Sequence, residues 1–127
     1  MNPIQQAIVL FAHGARDSSW SKPLEGLQQL LLNQLEPNWQ VKLAFLELMQ
    51  PSLPDVIANL ANHGCACIYI VPVFFGQGGH MKNDFPVLLQ QLKQQHPNIE
   101  IFASEAVGQW PELWQALATG IVSRISH

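Results

Sequence analysis

Four short apolar runs recur along the chain, and after each one apolar residues return at every third or fourth position. Ala7 to Ala12 (AIVLFA) is apolar throughout, the pattern of a strand covered on both faces. Trp20, Leu24, Leu27, Leu31 and Leu35 then give one apolar helical stripe, with Asp17-Ser18-Ser19 as its cap and Pro37 as its stop. Trp39 to Leu46 (WQVKLAFL) reads as a second strand. Ser52-Leu-Pro-Asp55 opens a second helix with an N-cap serine, a first-turn proline and an acid at the positive end of the dipole. That helix carries Leu53, Val56, Ile57 and Leu60 inward and ends at Gly64. Ile68 to Phe75 (IYIVPVFF) predicts a third strand, which must end near Pro72 or lie at an edge there, because proline donates no ladder hydrogen bond. Asn83 or Asp84 predicts the cap of a third helix, with Pro86 in its first turn and Pro97 beyond its end. Ile99 to Ala103 (IEIFA) is the fourth strand. Pro111 opens a last helix bearing Trp114, Leu117, Ala118, Ile121, Val122 and Ile125.

Strand–helix alternation requires right-handed crossovers, hence a parallel sheet with helices on both faces. The expected fold class is α/β: a single three-layer domain over residues 1–127, built on a four-stranded parallel sheet. A length of 127 residues suits one domain, and no linker or repeat interrupts it. Ligands in such sheets bind beyond the carboxyl ends of the strands, so the residues at those ends acquire functional weight.

His13-Gly-Ala-Arg-Asp17 follows the first strand, Glu47 the second, and Gly76-Gln-Gly-Gly-His80 with Met81-Lys-Asn-Asp84 the third. Ser104 and Glu105 follow the fourth. Two histidines and a glutamate at one rim offer metal ligands and bases together. Gly14 lets the backbone turn away from His13, and the glycines before His80 allow the backbone to approach a large ligand. Glu47 lies between Leu46 and Leu48, where burial of a carboxylate would require pairing or protonation. Arg16 and Lys82 flank the two histidine motifs and could grip ligand carboxylates, or stand as solvated surface charge. His63 and His96 fall at helix C-termini, where an imidazole complements the dipole, and His127 is the last residue.

Composition narrows the partners. A net charge of −3 gives no broad basic surface for nucleic acid. No apolar run reaches spanning length, and no basic region precedes an apolar stretch at the N-terminus, so a cytoplasmic protein without membrane contact is expected. Cys65 and Cys67 lack the Cys-x-x-Cys spacing of redox and zinc sites, and a disulfide across so short a loop would be strained. They read as small buried side chains.

The pieces FAHGARD, FLELMQPSL and VPVFFGQGGHMKNDFP, in this order along nearly the whole chain, resemble the class II chelatases, specifically the small homodimeric sirohydrochlorin cobaltochelatase type. The glycine-glycine-histidine piece followed by Asp-x-Pro is the most specific. The resemblance implies that His13 and His80 bind a divalent metal and assist its insertion into a tetrapyrrole, with Glu47 an acid near the macrocycle. Arg16, Gly78, Gly79 and Lys82 would then face the tetrapyrrole substrate. It also implies no organic cofactor, a homodimer, and cobalt as the metal, with iron and nickel as the other candidates, for cobalamin or siroheme biosynthesis. Ala15 departs from the family's usual serine and removes a hydroxyl from the site. The chemistry fits the residues on its own terms: neutral imidazoles can ligate an incoming ion, and histidine or glutamate can accept the pyrrole protons that leave.

Three other readings compete. A histidine phosphotransferase would need several arginines around the phosphate, and the chain has only Arg16 and Arg124. A non-catalytic tetrapyrrole or metal carrier on the same fold would keep the histidines but need no proton acceptor, and turnover separates it from a chelatase. A flavodoxin-like binding module would want a Ser-, Thr- and Gly-rich phosphate loop after the first strand, which is missing.

Overall fold

The computed structural model describes residues 4–76 and 79–125, and within residues 79–82 the backbone alone. Four strands, β1 (Gln6–Ala12), β2 (Trp39–Phe45), β3 (Cys67–Pro72) and β4 (Glu100–Ala103), form one parallel sheet in the order β2-β1-β3-β4. Helices α1 (Lys22–Leu32), α2 (Leu53–Asn62), α3 (Gly79–Gln95) and α4 (Pro111–Ile125) alternate with them. This is the α/β architecture expected from the alternation of patterns.

The β1 run is apolar throughout because both of its faces are covered. Ala7, Val9 and Phe11 point into a core completed by Leu53, Ile57 and Leu60 of α2, Leu92 of α3 and Ile68 and Ile70 of β3. Burial of each such Leu or Ile contributes about 1.5–3 kcal/mol. On the other face Ala12 and Phe45 pack against Leu24 of α1. Helices α2 and α3 therefore share one face and α1 takes the opposite one. No described helix is long and apolar enough to cross a membrane.

The caps follow the sequence. Ser52 accepts from the Asp55 amide at 3.3 Å, with Pro54 in the first turn of α2. At the other end Gly64 takes φ +81°, and the amides of Cys65 and Gly64 reach back to the carbonyls of Leu60 and Ala61. This is the six-to-one, five-to-two closure that glycine makes cheap. It buries Cys65 against the core, and burial pushes its thiol pKa up; both cysteines are free thiols. His63 caps the same helix with its Nδ1 2.7 Å from the Asn59 carbonyl. Pro72 ends β3 as anticipated. The Val73 amide bonds Phe11 of β1, so the Pro72 nitrogen faces the β4 side, where β4 has already ended.

Three expectations change. Asp17 caps a 3-10 turn (Ser18–Ser21), not α1 itself, and Trp20 in that turn is exposed. Helix α3 begins at Gly79, ahead of Asn83, so Pro86 stands inside it. Inside a helix a proline removes its own N–H and crowds the carbonyl four residues back, a local cost that this helix bears. The third change is at α4, where the apolar stripe exists but none of its residues is buried. The helix packs on the 3-10 turn that precedes it (Val107–Gln109). The β3–β4 half of the α1 face consequently stays open, with Tyr69 and Phe102 stacked at 5.2 Å yet 38% and 45% exposed.

Candidate functional site

The strand order creates the site. β1 and β3 are neighbours, but the chain leaves β1 towards α1 on one face and leaves β3 towards α3 on the other. A crevice opens at such a switch point, beyond the carboxyl ends. His13 is the first residue past β1 and is exposed there. Its imidazole meets the ring of Phe74, two residues past β3, edge-to-face with centroids 4.6 Å apart.

The loop after β2 is locked to the loop after β1. Their ladder continues past the strands: the Leu46 amide donates to the Ala12 carbonyl at 2.8 Å and the Glu47 amide to the His13 carbonyl at 3.0 Å. Gly14 turns at φ +96°, and a Cβ there would lie 1.9 Å from the Glu47 carbonyl oxygen. Only glycine meets both demands. Leu48 then adopts φ +67°, a left-handed conformation that costs a leucine about 1–2 kcal/mol. The loop closes with the Phe45 amide on the Pro51 carbonyl at 2.9 Å. Glu47 is thus exposed, as are Leu46 and Leu48. The apolar neighbours suggested otherwise because the strand pattern runs on by one residue after the chain has left the sheet.

A cavity of about 820 Å³ opens beside His13 on the α1 face. Its lining includes Ala12 and Val73 beside the strand ends, Trp20 and Leu27, and Trp110 and Leu113. Nearly every group it offers is apolar, and the indoles supply flat surfaces suited to a large planar ligand. The third and fourth rim loops are pinned together beneath it. The Gly108 amide donates to the Phe74 carbonyl at 2.9 Å, and a Cβ on Gly108 would fall 1.9 Å from the Phe75 carbonyl oxygen. Trp110 Nε1 donates to the Glu105 carbonyl at 3.1 Å, and Trp114 Nε1 donates to the Gly108 carbonyl.

Of the residues singled out from sequence, His13, Arg16 and Glu47 share this rim and all three are exposed. Asp17 holds the turn after them through the Ser19 amide at 3.0 Å and hydroxyl at 2.8 Å, which lowers its pKa. Gly79, His80 and Lys82 belong to the start of α3 rather than to the glycine loop. Gly78 and the side chains of His80 and Lys82 lie outside the described residues. The sequence reading missed Trp20 as a cavity wall and Gly108 as a brace. It also missed Phe74, which is buried against Phe11 beside the rim. A Phe-Phe pair ending an apolar run was the available signal, since alternation sends the two rings to opposite sides.

The fold and this rim define a parallel α/β domain with an exposed histidine over an apolar cavity at the sheet's switch point. The sequence profile of the CbiX family matches residues 7–123, and the chain belongs to that family, among the class II chelatases. It is 29% identical over 101 residues to the sirohydrochlorin cobaltochelatase of Sulfurisphaera tokodaii, covering 80% of this chain and 78% of that one. A solved CbiX protein from Marinobacter aquaeolei VT8, named for cobalamin (vitamin B12) biosynthesis, superposes with a TM-score of 0.81 at 26% identity. That match covers 95% of this chain and 98% of the other. The sirohydrochlorin chelatase SirB of Bacillus subtilis subspecies spizizenii, solved with cobalt, shares the fold at a TM-score of 0.75 and 21% identity, over 94% of this chain. The chain spans about half of SirB, 51% of its length.

Proposed function

We propose that residues 1–127 act as one chelatase domain that inserts a divalent metal into sirohydrochlorin, cobalt first and iron or nickel as the other candidates. The observation that carries this reading is the exposed imidazole of His13 at the mouth of the apolar cavity, with the Glu47 loop hydrogen-bonded to its backbone. The macrocycle lies against the cavity's indole walls, and His13 and His80 ligate the incoming ion as it sheds water. Two N–H protons leave, to Glu47 and to water, as the ion bonds all four ring nitrogens, so the dication replaces two protons and charge balances. Glu47, solvent-exposed, accepts a proton and passes it to water. Arg16, Lys82 and the amides of Gly78 and Gly79 serve the peripheral carboxylates. No organic cofactor takes part.

The active unit in this reading is a cytoplasmic homodimer serving cobalamin or siroheme synthesis. Support comes from the apolar surface one chain leaves uncovered, both along α4 and on the β3–β4 half of the sheet. An isologous pair would cover both at once.

The test is anaerobic incubation of the protein with sirohydrochlorin and Co2+, Fe2+ or Ni2+ in turn, followed by absorbance against a no-enzyme control. Acceleration of insertion by catalytic amounts of protein is the expected result. Stoichiometric binding without turnover would make the protein a carrier.

A further inference from the structure

We propose that Phe74 is a positioning residue for His13: its buried ring holds the imidazole in the orientation in which it meets the metal. The proposal rests on the reading of His13 as a metal ligand. An imidazole that binds metal is normally aimed by a hydrogen bond at its other ring nitrogen. Among the described residues no hydrogen bond holds the His13 ring, and the side chain is exposed just past the end of its strand. Free rotation about two side-chain torsions would leave the ligand nitrogen unaimed. The edge-to-face contact with Phe74, at 4.6 Å and 79°, restricts that rotation.

Phe74 can do this because it is itself immobilised. It is 3% exposed, its ring meets that of Phe11 at 5.8 Å and 76°, and its carbonyl accepts from the Gly108 amide at 2.9 Å. Gly108 packs backbone to backbone on Phe75, so that a Cβ on Gly108 would fall 1.9 Å from the Phe75 carbonyl oxygen. Phe11 in turn stacks on Phe85 of α3 at 5.8 Å and 24°. Phe85 lies in the same helix as His80. A continuous series of rings, His13–Phe74–Phe11–Phe85, therefore ties the first histidine to the helix that carries the second.

The expected effect of losing the contact is a weakening of metal binding by about two- to tenfold, the range of one edge-to-face pair. The experiment is Co2+ titration of the whole chain, without tetrapyrrole, for wild type and Phe74→Leu, with Phe74→Tyr as the variant that keeps the ring. Phe74→Leu should lose affinity by that factor and Phe74→Tyr should recover it. In turnover Phe74→Leu should raise KM for the metal more than it lowers kcat. A second measurement needs no variant: the His13 ring protons of the wild type should be ring-current shifted and show cross-relaxation to Phe74. Absence of that cross-relaxation overturns the proposal, and so does wild-type Co2+ affinity in folded Phe74→Leu. His13→Ala separates the two levels of argument. If it binds Co2+ as wild type does, His13 is no ligand. If it loses binding while Phe74→Leu keeps it, only the positioning role fails.

Discussion

Gly14 and Glu47 touch through their backbones, so closely that a Cβ on Gly14 would lie 1.9 Å from the Glu47 carbonyl oxygen. The contact makes the loops after β1 and β2 one unit and sets where the Glu47 side chain starts. Gly14→Ala combines this clash with a φ of +96° and should cost about 2 kcal/mol or more. Gly64→Ala, at φ +81° with nothing within 4 Å of the new Cβ, carries only the conformational part and should cost about 1 kcal/mol. Denaturant midpoints at unchanged slope compare the two. Equal losses would mean that the loop gives way without cost.

His13→Ala should reduce insertion by roughly a hundredfold or more while costing no more stability than the one ring contact with Phe74, about 1 kcal/mol. His80→Ala should lose activity comparably. Initial rates at limiting metal decide this, and wild-type turnover in either folded variant would remove that histidine from the site.

Glu47→Gln should slow proton removal more than it weakens metal binding. A steady-state comparison should show kcat falling by about tenfold or more with little change in KM for the metal. A rise in KM alone would make Glu47 a ligand. Since the side chain is exposed, the substitution should leave stability unchanged.

Asp17 carries a pH signature. Hydrogen bonds from the Ser19 amide and hydroxyl hold its carboxyl below the ordinary 3.8. A lowered folded value means that the cap stabilises fully above the unfolded pKa and is lost as pH falls through the folded one. The stability difference between wild type and Asp17→Ala should therefore be present at neutral pH and shrink below 3.8. Carboxyl chemical shifts give the midpoint directly, and one at or above 3.8 would contradict the capping geometry.

Leu117→Glu combined with Ile121→Glu should yield a monomer by sedimentation velocity, since both residues lie exposed on α4. The isolated chain should lose no stability, because neither side chain is buried in it. A dimer that survives both charges would have to use another surface.

The sheet and its rim were legible because they depend on local pattern. A continuous apolar run such as AIVLFA marks a strand covered twice, and His13 follows it directly. The same logic failed where a residue's environment is set from a distance. Trp114, Leu117 and Ile121 form an apolar helical stripe, but periodicity does not report whether anything lies against it. Glu47 looked costly to bury because its neighbours are leucines, yet the chain turns out of the sheet after Phe45. The start of α3 was misplaced because Asn83, Asp84 and Pro86 imitate an N-terminal cap. The cavity was invisible, since Trp20 and Trp110 lie ninety residues apart in sequence and meet only in the folded domain.

The central place of β1 has a consequence for how the chain comes to be folded. Its two hydrogen-bonded neighbours are β2, complete at Phe45, and β3, complete at Pro72. During synthesis AIVLFA therefore emerges before either neighbour, and residues 13–72 must follow before both of its edges can be paired. Short, uncharged, β-prone segments with open edges associate with their own kind. A ribosome that stalls before Pro72, or a protease that cuts there, would release a fragment with the stickiest strand still unpaired. For this topology the hazard of aggregation lies in the nascent chain, and speed of elongation through residues 39–72 is what limits it.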